Sequence, residues 1–417
     1  MRVVSIGGLK KTAVEWIGHV ALFSLLACFS PGVAQPLQKV SATDSLLIDL
    51  SASVFGQVKP AYAKIVKKGN QVFFLTADTR LLYTLDLLSG KISEVFPSAD
   101  STKPYRMVNF DLSDKRIFTV DRRMDYISEH DYQGKLLGRI RLNRMFAKTR
   151  LSGYESFAYH AQRNSFVVKV QRASPEAELL SHPQKAKSYF ERHDLMAEVD
   201  RTGKRLATFG AFDLLYQQGP YFHGDHYSFV VDRTGRVLLH QELSDEVQLH
   251  EAPFEKAETL TFRGKYLTTT PAELPVTQKP YTAIEDFYSH AIASYQYAFM
   301  ELLNGSGLIY RVYRDGGVDS TLDISYPPRN QPSDDKMCLA PSTRKLAQMD
   351  LLRQKPNYVQ IIDCQAGQLL YDGVFAFDGD YLLPAKDQNP DVFYSYSWSG
   401  SKFKLYKYYV DALKAID

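Results

Sequence analysis

The sequence predicts an all-β chain, a six-bladed β-propeller closed by pairing of N- and C-terminal strands, with a short helical insertion in blade five. Three observations lead there. From residue 44 onward, short stretches rich in Val, Ile, Leu, Tyr and Phe follow one another; Asp/Asn/Gly turns separate them; and an Asp-x-x-Gly-Lys turn recurs. Stretches with helical periodicity are rare.

The bulk numbers suit one large ring. At 417 residues the chain exceeds an ordinary compact domain of about 100–200 residues but fits one repeat-built domain. With 45% hydrophobic and 23% charged residues, wholesale disorder is excluded. A formal charge of +3 gives no support for a nucleic-acid-binding surface. Three Cys are too few for a disulfide-dense scaffold.

Residues 1–34 read as a signal peptide. Arg2, Lys10 and Lys11 make a positive start, with Glu15 as an exception. The apolar run from Ile17 to Phe29, broken by His19, covers 13 positions, short of the ~20 that span a bilayer as a helix. Small residues at Pro31-Gly32-Val33-Ala34 predict cleavage before Gln35. A second route competes, because Leu25-Leu26-Ala27-Cys28 resembles a bacterial lipobox and makes Cys28 a candidate lipidation site. Leu26 is larger than the residue usual there, and an uncut N-terminal anchor is the third alternative. The leader carries away three basic residues and one acidic one, leaving residues 35–417 at +1. The expected location is outside the inner membrane: periplasmic, secreted, or lipid-anchored at the envelope.

The first block sets the unit. Ala61–Val66, Gln71–Thr76, Leu81–Asp86 and Lys91–Phe96 are four candidate strands, turned by Lys68-Gly69-Asn70 and Leu87-Leu88-Ser89-Gly90. Asn, Asp and Gly tolerate the positive φ of tight hairpins. Arg106–Phe110, Arg116–Val120, Tyr126–Asp131 and Leu136–Arg141 repeat the plan. Gly90 and Gly134 are 44 residues apart, the period of a four-stranded blade. Gly134 to Gly203 is 69, so block three must hold an insertion, placed at Arg172–Tyr189. Gly203 to Gly235 is only 32, so Gly203 precedes the last strand of block three and Gly235 makes the first turn of block four. Block four covers about 220–264. Block five covers about 284–375, with an insertion near 315–356 that contains a helix at Pro341–Leu352. Block six starts at Phe377 and runs out after three strands near Tyr409, so Leu46–Leu50 supplies its fourth. Such pairing removes the free edges of the ring. A pair of β-sandwiches ranks below this, because no Pro/Ser/Gly linker divides the chain.

These features give the chain a resemblance to NHL-like six-bladed propellers, and more narrowly to exported bacterial propellers, many of them predicted lipoproteins. It is carried by the leader, the four-strand blocks, the Asp-x-x-Gly-Lys turns and the Leu308–Arg314 strand, and it covers residues 44–412. That family has no agreed activity to transfer. Signatures of the WD40, sialidase and kelch propellers are missing, and the quinoprotein-like turn Leu85–Lys91 lacks the Trp that should follow.

Standard catalytic strings are also missing: there is no GxSxG, GxGxxG, P-loop, HExxH, CxxC or EF-hand loop. The best constellation is Tyr221–Tyr227, with His223 and His226, ahead of the innermost strand of block four. His290 holds a similar place in block five, and His160 ends the corresponding strand of block three. Imidazoles from neighbouring blades converging on the channel would make a divalent-metal site with an open position; the competing account is ordinary hydrogen bonding in loops and channel wall. Tyr221, Tyr227 and Tyr288 are candidate ligand-binding residues at the mouth, where Tyr offers a flat apolar face and a hydroxyl. Packing between blades is the competing account of the tyrosines. Asp111, Asp121, Asp125, Asp213, Asp225, Asp378 and Asp380 are candidates for polar channel or loop positions. Cys338 and Cys364 are a candidate disulfide in an oxidising compartment. The expected function is recognition of a ligand or an envelope protein at one face of a monomeric ring, with no nucleic acid and no membrane contact beyond a lipid anchor. The alternative is a metal-dependent lyase or hydrolase with a His-lined channel.

Overall fold

The computed structural model describes residues 40–50, 62–76, 81–96, 107–121, 126–142, 149–150, 157–172, 190–191, 194–218, 227–254, 257–271, 295–316, 356–387 and 389–414. The leader with Cys28, residues Tyr221, His223, His226, Tyr288, His290 and Cys338, and the helix expected at 341–352 lie outside them.

Six four-stranded antiparallel sheets form the ring. Strand β1 (Asp44–Asp49) precedes blade one, which holds β2 (Tyr62–Lys68), β3 (Gln71–Thr76), β4 (Leu82–Asp86) and β5 (Ile92–Glu94). Blade two holds β6 (Met107–Leu112), β7 (Ile117–Asp121), β8 (Tyr126–His130) and β9 (Leu136–Arg141). Between β9 and blade three comes β10 (Thr149–Arg150), which pairs with β13 (Gln171–Arg172) as a two-stranded ribbon the sequence did not announce. Blade three is β11 (Phe157–His160), β12 (Ser165–Lys169), β14 (Met196–Val199) and β15 (Arg205–Phe209). After α1 (Leu214–Gln218), blade four is β16 (Tyr227–Val231), β17 (Val237–Gln241), β18 (Glu246–His250) and β19 (Ala257–Thr261). Blade five is β20 (Gln296–Leu302), β21 (Leu308–Arg314), β22 (Tyr358–Asp363) and β23 (Gln368–Val374). Blade six is β24 (Tyr381–Leu383), β25 (Val392–Ser399) and β26 (Lys402–Tyr409), followed by α2 (Asp411–Lys414). The expected insertions fall between β13 and β14 and between β21 and β22.

Strand β1 completes blade six by pairing with β26, from Asp44 opposite Lys407 to Asp49 opposite Lys402. The closure is therefore the one expected, with the strand two residues earlier at its start than Leu46. Val40 adds a parallel bridge to Phe377, which ties the segment before β1 into the same blade.

Burial explains the texture of the strands. Second strands such as β12 and β17 are buried at every position, because neighbouring blades cover both faces. Fourth strands such as β9 and β15 are mostly exposed. One apolar cluster fills each seam. Between blades one and two, for example, Phe73, Leu75 and Leu82 meet Met107, Phe110 and Ile117. Between six and one, Trp398, Phe403 and Leu383 meet Phe74, Leu85 and Val72. Burying each such side chain contributes about 1.5–3 kcal/mol.

The recurring turn has a structural cause. In Asp131–Lys135 the Asp131 carboxylate accepts N–H bonds from Gln133 and Lys135, at 3.0 and 2.8 Å. Asp200 does the same for Thr202 and Lys204. The glycine that follows takes positive φ, 84° at Gly134 and 87° at Gly203. Both glycines also abut the end of the preceding blade's fourth strand, where a Cβ would overlap the carbonyl oxygen of Val95 or Arg141. The motif thus docks each third-to-fourth-strand turn on the previous blade. Gly235 is different, as its spacing required: it turns β16 into β17 and packs on His160.

Candidate functional site

The innermost strands β2, β6, β11, β16, β20 and β24 surround a central channel. Four polar residues of these strands, with one residue just past β24, gather around one void. Its lining includes Lys64 of β2, Asn109 and Asp111 of β6, Glu301 of β20 and Lys386 just after β24. Phe157, Ala158 and Phe229–Val231 close the side formed by blades three and four with apolar surface. The void has a volume of about 40 Å³, room for roughly three water molecules.

Asp111 is the most fully engaged of these groups. It is 3% exposed and accepts from the N–H of Leu112 at 2.9 Å, the N–H of Tyr159 at 2.7 Å and Lys386 Nζ at 3.0 Å. Burial alone would raise its pKa, but the charges of Lys386 and Lys64 and the Tyr159 N–H outweigh that and hold it below the usual carboxylate range. Glu301 responds oppositely. Burial raises its pKa, and Lys64 and Lys386 offset this only in part, with Asp111 adding to the rise. No ion pair reaches Glu301 among the described residues.

Asn109 is 1% exposed, and its orientation follows from its partners. Its side-chain oxygen accepts from the Phe110 N–H at 2.7 Å and from Lys64 Nζ at 3.1 Å. Two donors on one atom identify that atom as the oxygen. The amide nitrogen then has no hydrogen-bond partner. The Lys64 ammonium keeps two further N–H groups beyond its bond to Asn109. The channel wall is fixed by the backbone as well: Lys67 N–H donates to Pro384 O and Lys386 N–H to Lys67 O, both at 2.8 Å. Blade six is thereby bridged to blade one where Lys386 departs.

The residues singled out from sequence fall into three groups. Asp111 is in the channel, as expected. His160 is buried in the seam between blades three and four, where its Nδ1 accepts the Arg163 N–H at 3.4 Å and its ring meets Phe254 at 6.1 Å. Burial lowers its pKa. Tyr227 is buried in the same seam, its hydroxyl shared between the Val170 and Leu195 carbonyls at 2.8 and 2.7 Å, with Lys169 Nζ 4.0 Å from the ring centre. Cys364 is a free, buried thiol between blades four and five, and burial pushes it up to about 12. Asp121 ends β7, while Asp213, Asp378 and Asp380 do not line the void; Asp213 accepts the Leu215 N–H and Asp378 the Ala42 N–H, both at 2.8 Å. Asp125, Asp225, Tyr221, Tyr288, His223, His226, His290, Cys28 and Cys338 lie outside the described residues. Among the described residues no cluster of three metal-ligating side chains forms, and no histidine lines the void.

Sequence reading missed Lys64, Asn109, Glu301 and Lys386. The only signal was a polar residue on or beside an innermost strand, which Lys67, Lys68 and Gln296 share without lining the void. It could be read only once the blade register was known.

The chain is a six-bladed β-propeller. No family model and no curated protein matches the sequence. Solved structures share the fold at low identity. A member of the duf4221 family from Bacteroides vulgatus is 11% identical, with a TM-score of 0.55 over 88% of this chain and 98% of that one. An exported-protein candidate from Bacteroides fragilis is 8% identical, with a TM-score of 0.50 over 88% and 95%.

Proposed function

We propose that the protein is an exported binding propeller, which engages a small polar ligand or an envelope partner through its central channel and the mouth above it. The observation that carries this is the void itself. It is ringed by groups from four blades, and its donors, the Asn109 amide and the Lys64 ammonium, are left with bonding capacity inside it. A buried donor without a partner costs about 1–3 kcal/mol. A fold that keeps one facing a cavity is suited to receive an acceptor there.

Export is supported by the composition of residues 1–34 and agrees with the description of the Bacteroides fragilis neighbour. Mass spectrometry of the mature N-terminus separates the two processing routes: a lipidated Cys28 gives an anchored protein, and a start at Gln35 gives a soluble one.

The binding reading is tested by a thermal-shift screen of the mature protein against small polar metabolites and envelope extracts, with recovery of each hit. A ligand that stabilises the wild type, fails to stabilise Lys64→Met and is recovered chemically unchanged supports it. Conversion of the hit to product would replace it with an enzymatic reading.

A further inference from the structure

The chemistry of the void selects its occupant. Its acceptors other than Glu301 are engaged: Asp111 takes three donors and the Asn109 oxygen takes two. Its open valences are donors, on Asn109 Nδ2 and Lys64 Nζ. The fixed charges are Lys64, Lys386 and Asp111, one positive charge in excess before Glu301 is counted. We propose that the channel void is a binding site for a small oxyanion, of carboxylate or phosphate size, gripped by the Lys64 ammonium and the Asn109 amide.

Asn109 belongs to such a site and not merely to the wall, because it is 1% exposed and its amide orientation is set by the two donors on its oxygen. The volume, about 40 Å³, has room for a small anionic head group. The site also has a built-in counter-charge. The charged groups that face Glu301 are Lys64 from blade one, Asp111 from blade two and Lys386 from blade six; blades three and four present apolar surface. Ionised, Glu301 balances the excess positive charge by itself. Protonated, it leaves that charge to the anion. Burial pushes the Glu301 pKa up, in the same direction as a bound anion would. Where Glu301 is ionised before binding, the anion's arrival takes up a proton, and affinity rises as pH falls.

This inference rests on the channel being a binding site, and the test separates the two. The mature protein is titrated calorimetrically with sodium phosphate and sodium acetate, against sodium chloride as ionic-strength control, at about pH 5.5 and about pH 7.5, above the ordinary Glu range. One-to-one binding of either oxyanion, tighter at the lower pH and weakened ~10-fold or more in Lys64→Met and Asn109→Leu, is expected. Which anion binds tells a carboxylate ligand from a phosphate one. Glu301→Gln keeps the neutral shape of the residue and guards against loss by misfolding. With acetate, an anion at both pH values, it should bind at the higher pH as tightly as the wild type does at the lower and lose the wild type's pH dependence. Saturable binding of neither anion overturns the inference. If a neutral or cationic hit from the screen then binds in a Lys64-dependent way, the wider reading of the channel stands without it. A pH dependence unchanged in Glu301→Gln overturns the proton coupling.

Discussion

Lys386 reaches past blade one to Asp111 of blade two, its Nζ 3.0 Å from the carboxylate, so one ion pair spans the channel between blades that do not touch side by side. The lysine side chain is 25% exposed and the aspartate side chain 4%. The pair therefore ties the ring across its centre, where the innermost strands have no sheet neighbour on one side.

Removing one partner of a largely buried pair strands the other. Asp111→Ala should cost about 3–5 kcal/mol, measured by urea or thermal unfolding, because it also orphans the Tyr159 and Leu112 N–H groups. Adding Lys386→Met to it should recover part of that loss. With Lys386→Met alone completing the cycle, a coupling energy near zero would show that the ion pair adds nothing.

The turn glycines separate two effects. Gly134→Ala and Gly203→Ala meet both positive φ and a clash with the preceding blade's carbonyl. Gly69 has φ 57° and no atom within 4 Å of where a Cβ would lie, so Gly69→Ala carries only the conformational cost of about 1–2 kcal/mol. The first two substitutions should lower the unfolding midpoint clearly more than the third. Equal losses would mean that the turn does not dock on its neighbour.

That turn also marks what could be read from the sequence. Its spacing located Gly90, Gly134 and Gly203 at equivalent places and Gly235 at a different one. Six blades and the β1–β26 closure followed, because short strands and turns are local signals. The channel was legible only at Asp111. Lys64, Glu301 and Lys386 are far apart in sequence and meet only through the ring, and no local pattern reports that meeting. The tyrosines divided the other way. Tyr227, Tyr295, Tyr297 and Tyr313 are buried, and the last three pack with Leu267 near the seam of blades four and five. Period-2 alternation places such residues on one face but does not say whether that face meets water or another blade.

Acid should weaken the ring through two buried histidines of blade four. Burial, with the nearby Arg311 charge, brings His240 down to about 3, and burial brings His250 down to about 4. Both are neutral in the folded ring, whereas the unfolded chain takes up protons near 6.5. Their contribution is therefore complete above about 6.5 and is lost as pH falls toward the folded values, at up to about 1.4 kcal/mol per pH unit each. Unfolding free energy measured from pH 7 down to pH 5 should fall with that sign. His250→Gln should flatten the slope, and an unchanged slope would assign it to other groups.

Arg311 is fully buried between blades four and five. Its guanidinium donates to Gln360 Oε1 at 2.6 Å and to the carbonyls of Asp245 and Phe262, and it lies 4.0 Å from the Tyr297 ring centre. Only a planar fork can meet all of these at once. Arg311→Lys should therefore destabilise by about 2–4 kcal/mol and Arg311→Met by a similar amount, read from chemical unfolding. Full rescue by Lys would reduce the site to a point charge.

The reading of the channel as a binding site is tested most directly by an experimental structure of the mature protein grown with acetate or phosphate and no other oxyanion. The account predicts that anion in the void, with oxygens at hydrogen-bond distance from Asn109 Nδ2 and Lys64 Nζ. A void filled by a protein side chain, or an Asn109 amide nitrogen bonded to the protein itself, would contradict it.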